Sequence, residues 1–286
     1  MADPRKKLKT NVDGDFFVDS TCINCDTCRQ LAPGVFGEAA GHSFVEWQPT
    51  DPSTRRKATQ ALLACPTGSI GNTGDNQAKE VMQDFPLLVD DSIYYCGFNS
   101  PKSYGGNSYL IRKPGGNWLI DSPKFLPHLV QKFHAMGGLS YIFLTHRDDV
   151  AEAAAYAKEF GAQRIIHKDD VSAEPASEIV IEGQADTRFG DDMVIITTPG
   201  HTAGHCVLLY KNKYLFTGDH LAWDRDIEAL VAWPEVCWYD WEQQKNSLRK
   251  LALYEFSWIL PGHGQGVAVT AEAMKSELNI LLEWLK

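Results

Sequence analysis

The chain has 286 residues, 44% hydrophobic and 11% aromatic, which suits one large domain or two ordinary ones with a buried core. A formal net charge of −10 argues against general binding to nucleic acid or to an anionic membrane. No apolar run reaches the ~20 residues of a membrane span, and the N-terminus has neither a signal-peptide h-region nor a Ser/Arg-rich transit sequence. The expectation is a soluble, cytoplasmic protein in a reducing compartment, where the seven cysteines favour metal ligation over disulfides. The basic run Arg5, Lys6, Lys7 and Lys9 reads as a solvated tail.

Cys22, Cys25 and Cys28 recur at every third position in "CINCDTCRQLAP". In two-cluster bacterial ferredoxins the run is C-x2-C-x2-C-x3-C-P, and its fourth cysteine ligates the other cluster. Here Ala32 stands in that fourth place and Pro33 is kept, while Cys65 and Pro66 in "ACPTGSI" supply a distant thiolate. The stretch 14–71 therefore resembles a single-cluster [4Fe-4S] ferredoxin, a small α+β domain, with Cys22, Cys25, Cys28 and Cys65 as ligands. Four thiolates also suit tetrahedral Zn²⁺, but zinc sites usually pair their cysteines in knuckles and Cys65 has no neighbouring cysteine. A core this small implies that the cluster supplies folding energy. Cys96, Cys206 and Cys237 read as buried small hydrophobes.

The polar stretch "GNTGDNQAKE" reads as a linker, which divides the chain into a domain over 1–71, a linker over 72–85 and a second domain over 86–286. From residue 86 the short segments "SIYYCGF", "NSYLIRK" and "NWLID" predict strands separated by Gly/Pro turns. A helix is expected to start at Ser122 and Pro123, with Leu126, Leu129, Val130 and Phe133 on one face. "YIFLT" predicts a buried strand, and "DDVAEAAAYAKEFG" a helix closed by Gly161. "MVIITT", "CVLLY" and "KYLF" add strands, and helices are expected around 241–255 and 271–285. The alternation predicts a layered α/β fold of mixed sheets.

Polar residues gather at the strand ends. His146 follows "YIFLT", His201 and His205 lie in "TTPGHTAGH", Asp219 and His220 close "LFTGDH", and His263 sits in "LPGHG". Imidazole with carboxylate is a ligand set for Zn or Fe, and four such turns in one chain predict a metal site. His42, His128, His134 and His167 carry no motif.

"TH", "TPGHTAGH", "FTGD" and "LPGHG", in this order, resemble the metallo-β-lactamase superfamily over residues 86–286, with Asp121 at the first acidic motif. The resemblance implies an αβ/βα sandwich with a metal site at one edge of its two sheets. One motif departs from the pattern H-x-H-x-D-H: after His146, Asp148 replaces the second histidine, Val150 the aspartate and Ala151 the last histidine. The departure implies a dismantled second metal position. His146, His201 and Asp219 remain, the two-histidine, one-carboxylate set of mononuclear Fe(II) sites. Persulfide dioxygenases in the superfamily resemble this subset, and flavodiiron proteins place a carboxylate where Asp148 stands. Asp148 and Asp149 can each ligate, or cap a helix beginning near Val150. His263 completes the site or bonds to a ligand, and His205 and His220 read as supporting residues. Of the tryptophans following Asp219 (Trp223, Trp233, Trp238, Trp241), most read as core and one or two as pocket lining.

Three functions follow as expectations. In the first, one Fe (alternatively Zn) on His146, Asp148, His201, Asp219 and His263 performs redox chemistry on a small-molecule substrate, served by the [4Fe-4S] cluster and an electron-transfer partner protein. In the second, the metal hydrolyses an ester or thioester, with Asp148 or Asp149 orienting the water or acting as catalytic base and the cluster structural or a redox gate. In the third, the chain is a non-catalytic sensor.

Overall fold

The computed structural model describes residues 2–74 and 77–286. The first seventy residues form a small α+β unit. Phe16–Val18 pairs antiparallel with Ile70–Asn72, and Phe36–Ala39 forms a hairpin with His42–Val45. Asp51 caps the helix Pro52–Ala64 by accepting from Thr54 N at 3.0 Å, with Pro52 in the first turn where its missing N–H costs nothing. Ala58 and Ala61 on that helix pack with Phe16, Val18, Val45 and Ile70 in a compact core. The basic run is tied to this unit: Leu8 N donates to Val18 O and Ser20 N to Lys6 O.

The stretch expected as a linker, 72–85, is structured where it is described; residues 75 and 76 lie outside the described residues. Ala78–Val81 is a helical turn, and Asp84 pairs with Arg56 of the long helix. Val81 and Phe85 are fully buried.

The remaining chain is a sandwich of two mixed sheets. One runs Ile179–Ile181, Gln163–His167, Tyr141–Phe143, Trp118–Ile120, Tyr109–Ile111, Ile93–Tyr95, Leu87–Asp90; the other runs Thr187–Phe189, Met193–Thr197, Cys206–Tyr210, Tyr214–Gly218, Trp258–Pro261, Val267–Ala268. Period-two alternation explains the unbroken apolar runs. Met193, Ile195, Cys206 and Leu208 face the inter-sheet core, while Val194, Ile196, Val207 and Leu209 face the helices Trp241–Leu251 and Ala271–Trp284. Leu129, Phe133 and Tyr156 cover the other sheet from Pro127–Ala135 and Ala153–Phe160. The arrangement is the αβ/βα sandwich. Gly161, at φ 66°, ends Ala153–Phe160 in the left-handed conformation expected of a C-terminal glycine.

One helix starts late. Pro127, not Pro123, opens Pro127–Ala135. Ser122 is withdrawn from capping because its Oγ accepts Glu152 N at 2.7 Å. No helix among the described residues is long and apolar enough to cross a membrane.

Candidate cluster site and metal centre

Cys22, Cys25, Cys28 and Cys65 line one small cavity, together with Ile23, Thr27 and Pro66. None of the seven cysteines is in a disulfide. Asn24 and Asp26 adopt left-handed φ values of 57° and 66°, which turn the loop so that successive cysteines face inward. Donors meet the sulfurs: Asn24 N lies 3.4 Å from Cys22 Sγ and Thr27 Oγ1 3.4 Å from Cys25 Sγ. Burial pushes the Cys25 and Cys28 thiols up, so thiolates here need a cation against them, which cluster iron supplies. Ala32 is buried in the core, where its small side chain leaves no donor. The donor set fits a cubane.

The second site is built at the strand ends of the sandwich. His146 Nε2 lies 3.8 Å from Asp148 Oδ2 and 3.6 Å from Asp219 Oδ2; His201 Nε2 lies 3.7 and 3.6 Å from the same two atoms. Two imidazole nitrogens and two carboxylate oxygens thus surround one point. His263 Nδ1 is 2.8 Å from Asp219 Oδ1 and 2.9 Å from Oδ2. Two donor groups share His146: one with Asp148 and His201, the other with Asp149 and Asp219, each with its atoms inside 4.8 Å of one another.

Charge balance and unpaired atoms test whether a metal suits this place. His146 Nε2, His201 Nε2, His263 Nε2 and both oxygens of Asp149 are buried without a hydrogen-bond partner. Leaving so many polar atoms unpaired would cost about 1–3 kcal/mol each. Burial drives the Asp149 carboxyl up to about 6, with Asp219 adding to the rise. Burial alone would lower His146, yet Asp149 and then Asp219 carry it up to about 10. The same opposition, with Asp219 foremost among the carboxylates, takes His263 up to about 9. The cavity therefore calls for positive charge, and the N/O donor set fits one or two divalent ions.

Several residues hold the ligands in place. Asp121 Oδ1 accepts Thr145 N at 2.9 Å, and Thr145 Oγ1 lies 3.0 Å from Asp121 Oδ2 and 2.9 Å from His146 Nδ1. If Thr145 donates to Asp121, it must accept from His146 Nδ1–H, which leaves the Nε2 lone pair facing the centre. Asp170, fully buried, accepts Arg147 N at 3.0 Å, Gly204 N at 3.1 Å and Thr202 Oγ1. It ties the turn carrying His146 to the turn carrying His201. Nothing in the sequence singles out Asp170 except its place past a strand end in "HKDD". Behind the ligands, His205 and His220 stack with centroids 5.2 Å apart. Burial holds both neutral, pushing His205 well down and His220 down to about 3.

Of the alternatives open to Asp148 and Asp149, capping a helix is the one that the structure does not use. The helix begins at Ala153 with no side-chain cap, and a short 3-10 turn, Arg147–Asp149, precedes it. Asp149 faces the centre, and Val150 packs on the apolar core. An inward carboxylate is thus present although positions 150 and 151 lack one. Asp148, by contrast, is half-exposed, with its oxygen beside His146 and His201. Cys237 is also corrected: it is only partly buried, and its Sγ donates to Gly200 O at 3.1 Å. Trp238 stands exposed with its ring 6.3 Å from that of His201, and Tyr104 stands exposed with its ring 6.3 Å from that of His263, so both carry the site out to the surface. Of the motif-free histidines, His134 pairs with Glu159 on the surface and His167 bonds to Gly183 O.

One loop touches both sites. A Cβ on Gly105 would lie 2.9 Å from Cys25 Cβ and 3.0 Å from its Sγ; a Cβ on the adjacent Gly106 would lie 2.8 Å from Asp149 Oδ2. With 3.8 Å between consecutive Cα atoms, the Cys25 sulfur and the Asp149 carboxylate are separated by at most about 13 Å. Tyr104 Oη donates to Ile23 O at 2.6 Å, and Asn99 Nδ2 reaches Gly105 O at 2.7 Å and Thr27 Oγ1 at 3.2 Å. The cluster cavity and the metal centre lie on either side of this loop.

Comparison with known proteins agrees with this geometry. Residues 18–72 match the family model described as the 4Fe-4S single cluster domain of Ferredoxin I, and residues 136–263 match that of the Metallo-beta-lactamase superfamily. Thioesterase pkgB of Emericella nidulans is 27% identical over 204 residues, 64% of this chain and 55% of that one. Hydroxyacylglutathione hydrolase of Rhizobium etli is 35% identical over 118 residues, 39% of this chain and 46% of that one. The chain thus spans about half the length of the curated relatives it matches. Among solved structures, the BLEG-1 B3 metallo-beta-lactamase superposes with a TM-score of 0.52 at 16% identity, covering 68% of this chain and 99% of that one. DIM-1 metallo-beta-lactamase exposed to ceftazidime gives 0.50 at 17% identity, covering 70% and 96%. These structures share the fold. The chain joins an N-terminal single-cluster 4Fe-4S ferredoxin domain to a domain of the metallo-β-lactamase superfamily.

Proposed function

We propose that the protein is a metal-dependent oxidoreductase in which the cluster on Cys22, Cys25, Cys28 and Cys65 exchanges electrons with an iron centre on His146, Asp148, His201 and Asp219. Asp149 and His263 offer donors for a second ion beside it. The observation that carries the reading is the Gly105–Gly106 loop, whose one face packs on Cys25 and whose other packs on Asp149. A purely structural cluster has no need to lie against the catalytic ligands. The donor set supports the same reading, because carboxylates outnumber what a three-histidine zinc site uses and suit iron. When bound, the cluster supplies single electrons and the centre supplies open positions for a reducible substrate. The chain's own residues do the rest: Thr145 and Asp121 fix the His146 tautomer, Asp170 sets the spacing of His146 and His201, and Tyr104 and Trp238 carry the site out to the surface.

Hydrolysis of a thioester is the second reading, favoured by the hydroxyacylglutathione hydrolase and thioesterase relatives. In that reading half-exposed Asp148 orients the attacking water and the cluster braces the seam. Anaerobic purification followed by iron, zinc and sulfide analysis separates the two. The redox reading expects about five or six irons per chain, and about four irons with zinc at the second site would sink it. Thioester cleavage at one rate with the cluster reduced or oxidised would establish the alternative.

A further inference from the structure

Lys124 lies at the domain seam, on the segment that follows Asp121, and its Nζ donates to the carbonyl oxygen of Cys65 at 3.2 Å. It belongs to the lactamase-type domain yet reaches the ferredoxin-type one. Its neighbours fix it there: Lys124 N donates to Phe98 O at 2.9 Å, and Tyr156 Oη donates to Lys124 O at 2.8 Å. Its side chain is partly buried, and among the described residues no carboxylate lies within ion-pair distance of it. Arg29, another cation near the cysteines, is different, because Asp26 and Glu38 already neutralise it at 2.5 and 3.4 Å. A partly buried ammonium without a carboxylate needs another source of negative charge. The four thiolates provide one.

We infer that Lys124 is a positioning and tuning residue of the cluster: its charge raises the reduction potential and thereby sets how readily the cluster accepts an electron. A cubane on four thiolates is a dianion when oxidised and a trianion after taking up one electron, with no proton required. A fixed neighbouring cation therefore favours the reduced form, as local charge does at such clusters generally. At the effective dielectric of a partly buried site, a nearby unit charge changes the equilibrium by about tenfold or more. The inference rests on the four-cysteine cluster and not on which reaction the metal centre performs.

The test is an anaerobic redox titration of the intact holoprotein with dithionite, following the cluster by EPR. Lys124→Met is expected to make reduction about tenfold less favourable, a fall of 59 mV for a one-electron couple. Lys124→Gln keeps a donor for the Cys65 carbonyl and lacks the charge, so it should fall similarly, whereas Lys124→Arg should stay near the wild type. A wild-type potential in Lys124→Gln would overturn the inference, since hydrogen bonding and not charge would then suffice. If Lys124→Met fails to retain its cluster, the Gln and Arg pair decides alone. Cys65→Ser, read by iron and sulfide content, tests the cluster assignment separately.

Discussion

His146 is oriented by a relay of hydrogen bonds running from Asp121 through Thr145, and removing the middle member isolates the two ends. Thr145→Val leaves the buried Asp121 carboxylate short of a donor, a loss of about 1–3 kcal/mol that urea unfolding would register. It should also weaken retention of the extra metal, and Thr145→Ser should restore both. His201→Ala is expected to lose the extra metal while the iron–sulfur absorption stays unchanged; a retained metal would refute the ligand assignment. Gly106→Ala brings a methyl group within 2.8 Å of Asp149 Oδ2, so metal content should fall with little change in the cluster spectrum. At this scale the motif histidines stood out, because each lies beside a strand end, His201, His205, His220 and His263 with glycines close by in the chain. The role of Asp149 was left open between ligand and cap, and Asp170 was missed. The first depends on the 3-10 turn Arg147–Asp149, and the second on three bonds to residues 23 to 34 positions away, as for Arg147 and Gly204.

Among the elements, the strands were the easiest to anticipate, since runs such as "MVIIT" and "CVLLY" are apolar on both faces and sit between the two buried layers. Helix starts were harder. Ser122 and Pro123 form a reasonable start locally, but tertiary bonds recruit the Ser122 hydroxyl elsewhere. The segment bearing Asp170 is clamped by Arg164, which bonds to Glu174 at 2.5 Å and to Glu178 at 2.7 Å. The Arg164 guanidinium holds the Glu178 carboxyl down at about 2. A carboxyl lowered by folding stabilises the native state above its unfolded value, about 4.3, and loses that contribution as pH falls toward 2. Glu178→Gln should therefore be less stable than the wild type at neutral pH, with the urea-midpoint gap closing between about pH 4.5 and 2. Because Glu178 is partly exposed, the neutral-pH gap should be small, about 1 kcal/mol or less.

For the molecule as a whole, the sequence announced two domains and left their meeting unspecified. The seam is made of pairs far apart in the chain: Tyr104 with Ile23, Asn107 with Gln30, Arg225 with Asp26 and with the Arg29 carbonyl. No local pattern encodes such pairs, and the stretch expected as a linker contributes Asp84 to the ion pair with Arg56. Cys65→Ser should accordingly lower the thermal midpoint of the whole chain and not of the first seventy residues alone, because the cluster cage supports the loop at Gly105. Differential scanning calorimetry would show one shifted transition; an unchanged lactamase-type transition would contradict this.

The adjacent glycines have a further effect on how the chain can change over time. With a cysteine cage on one side and a metal-facing carboxylate on the other, the pair is a party wall between two inorganic workplaces. Loss of packing on one face of the pair would be expected to loosen the other. A substitution in either glycine should therefore be assayed at both places, as cluster content and as metal content.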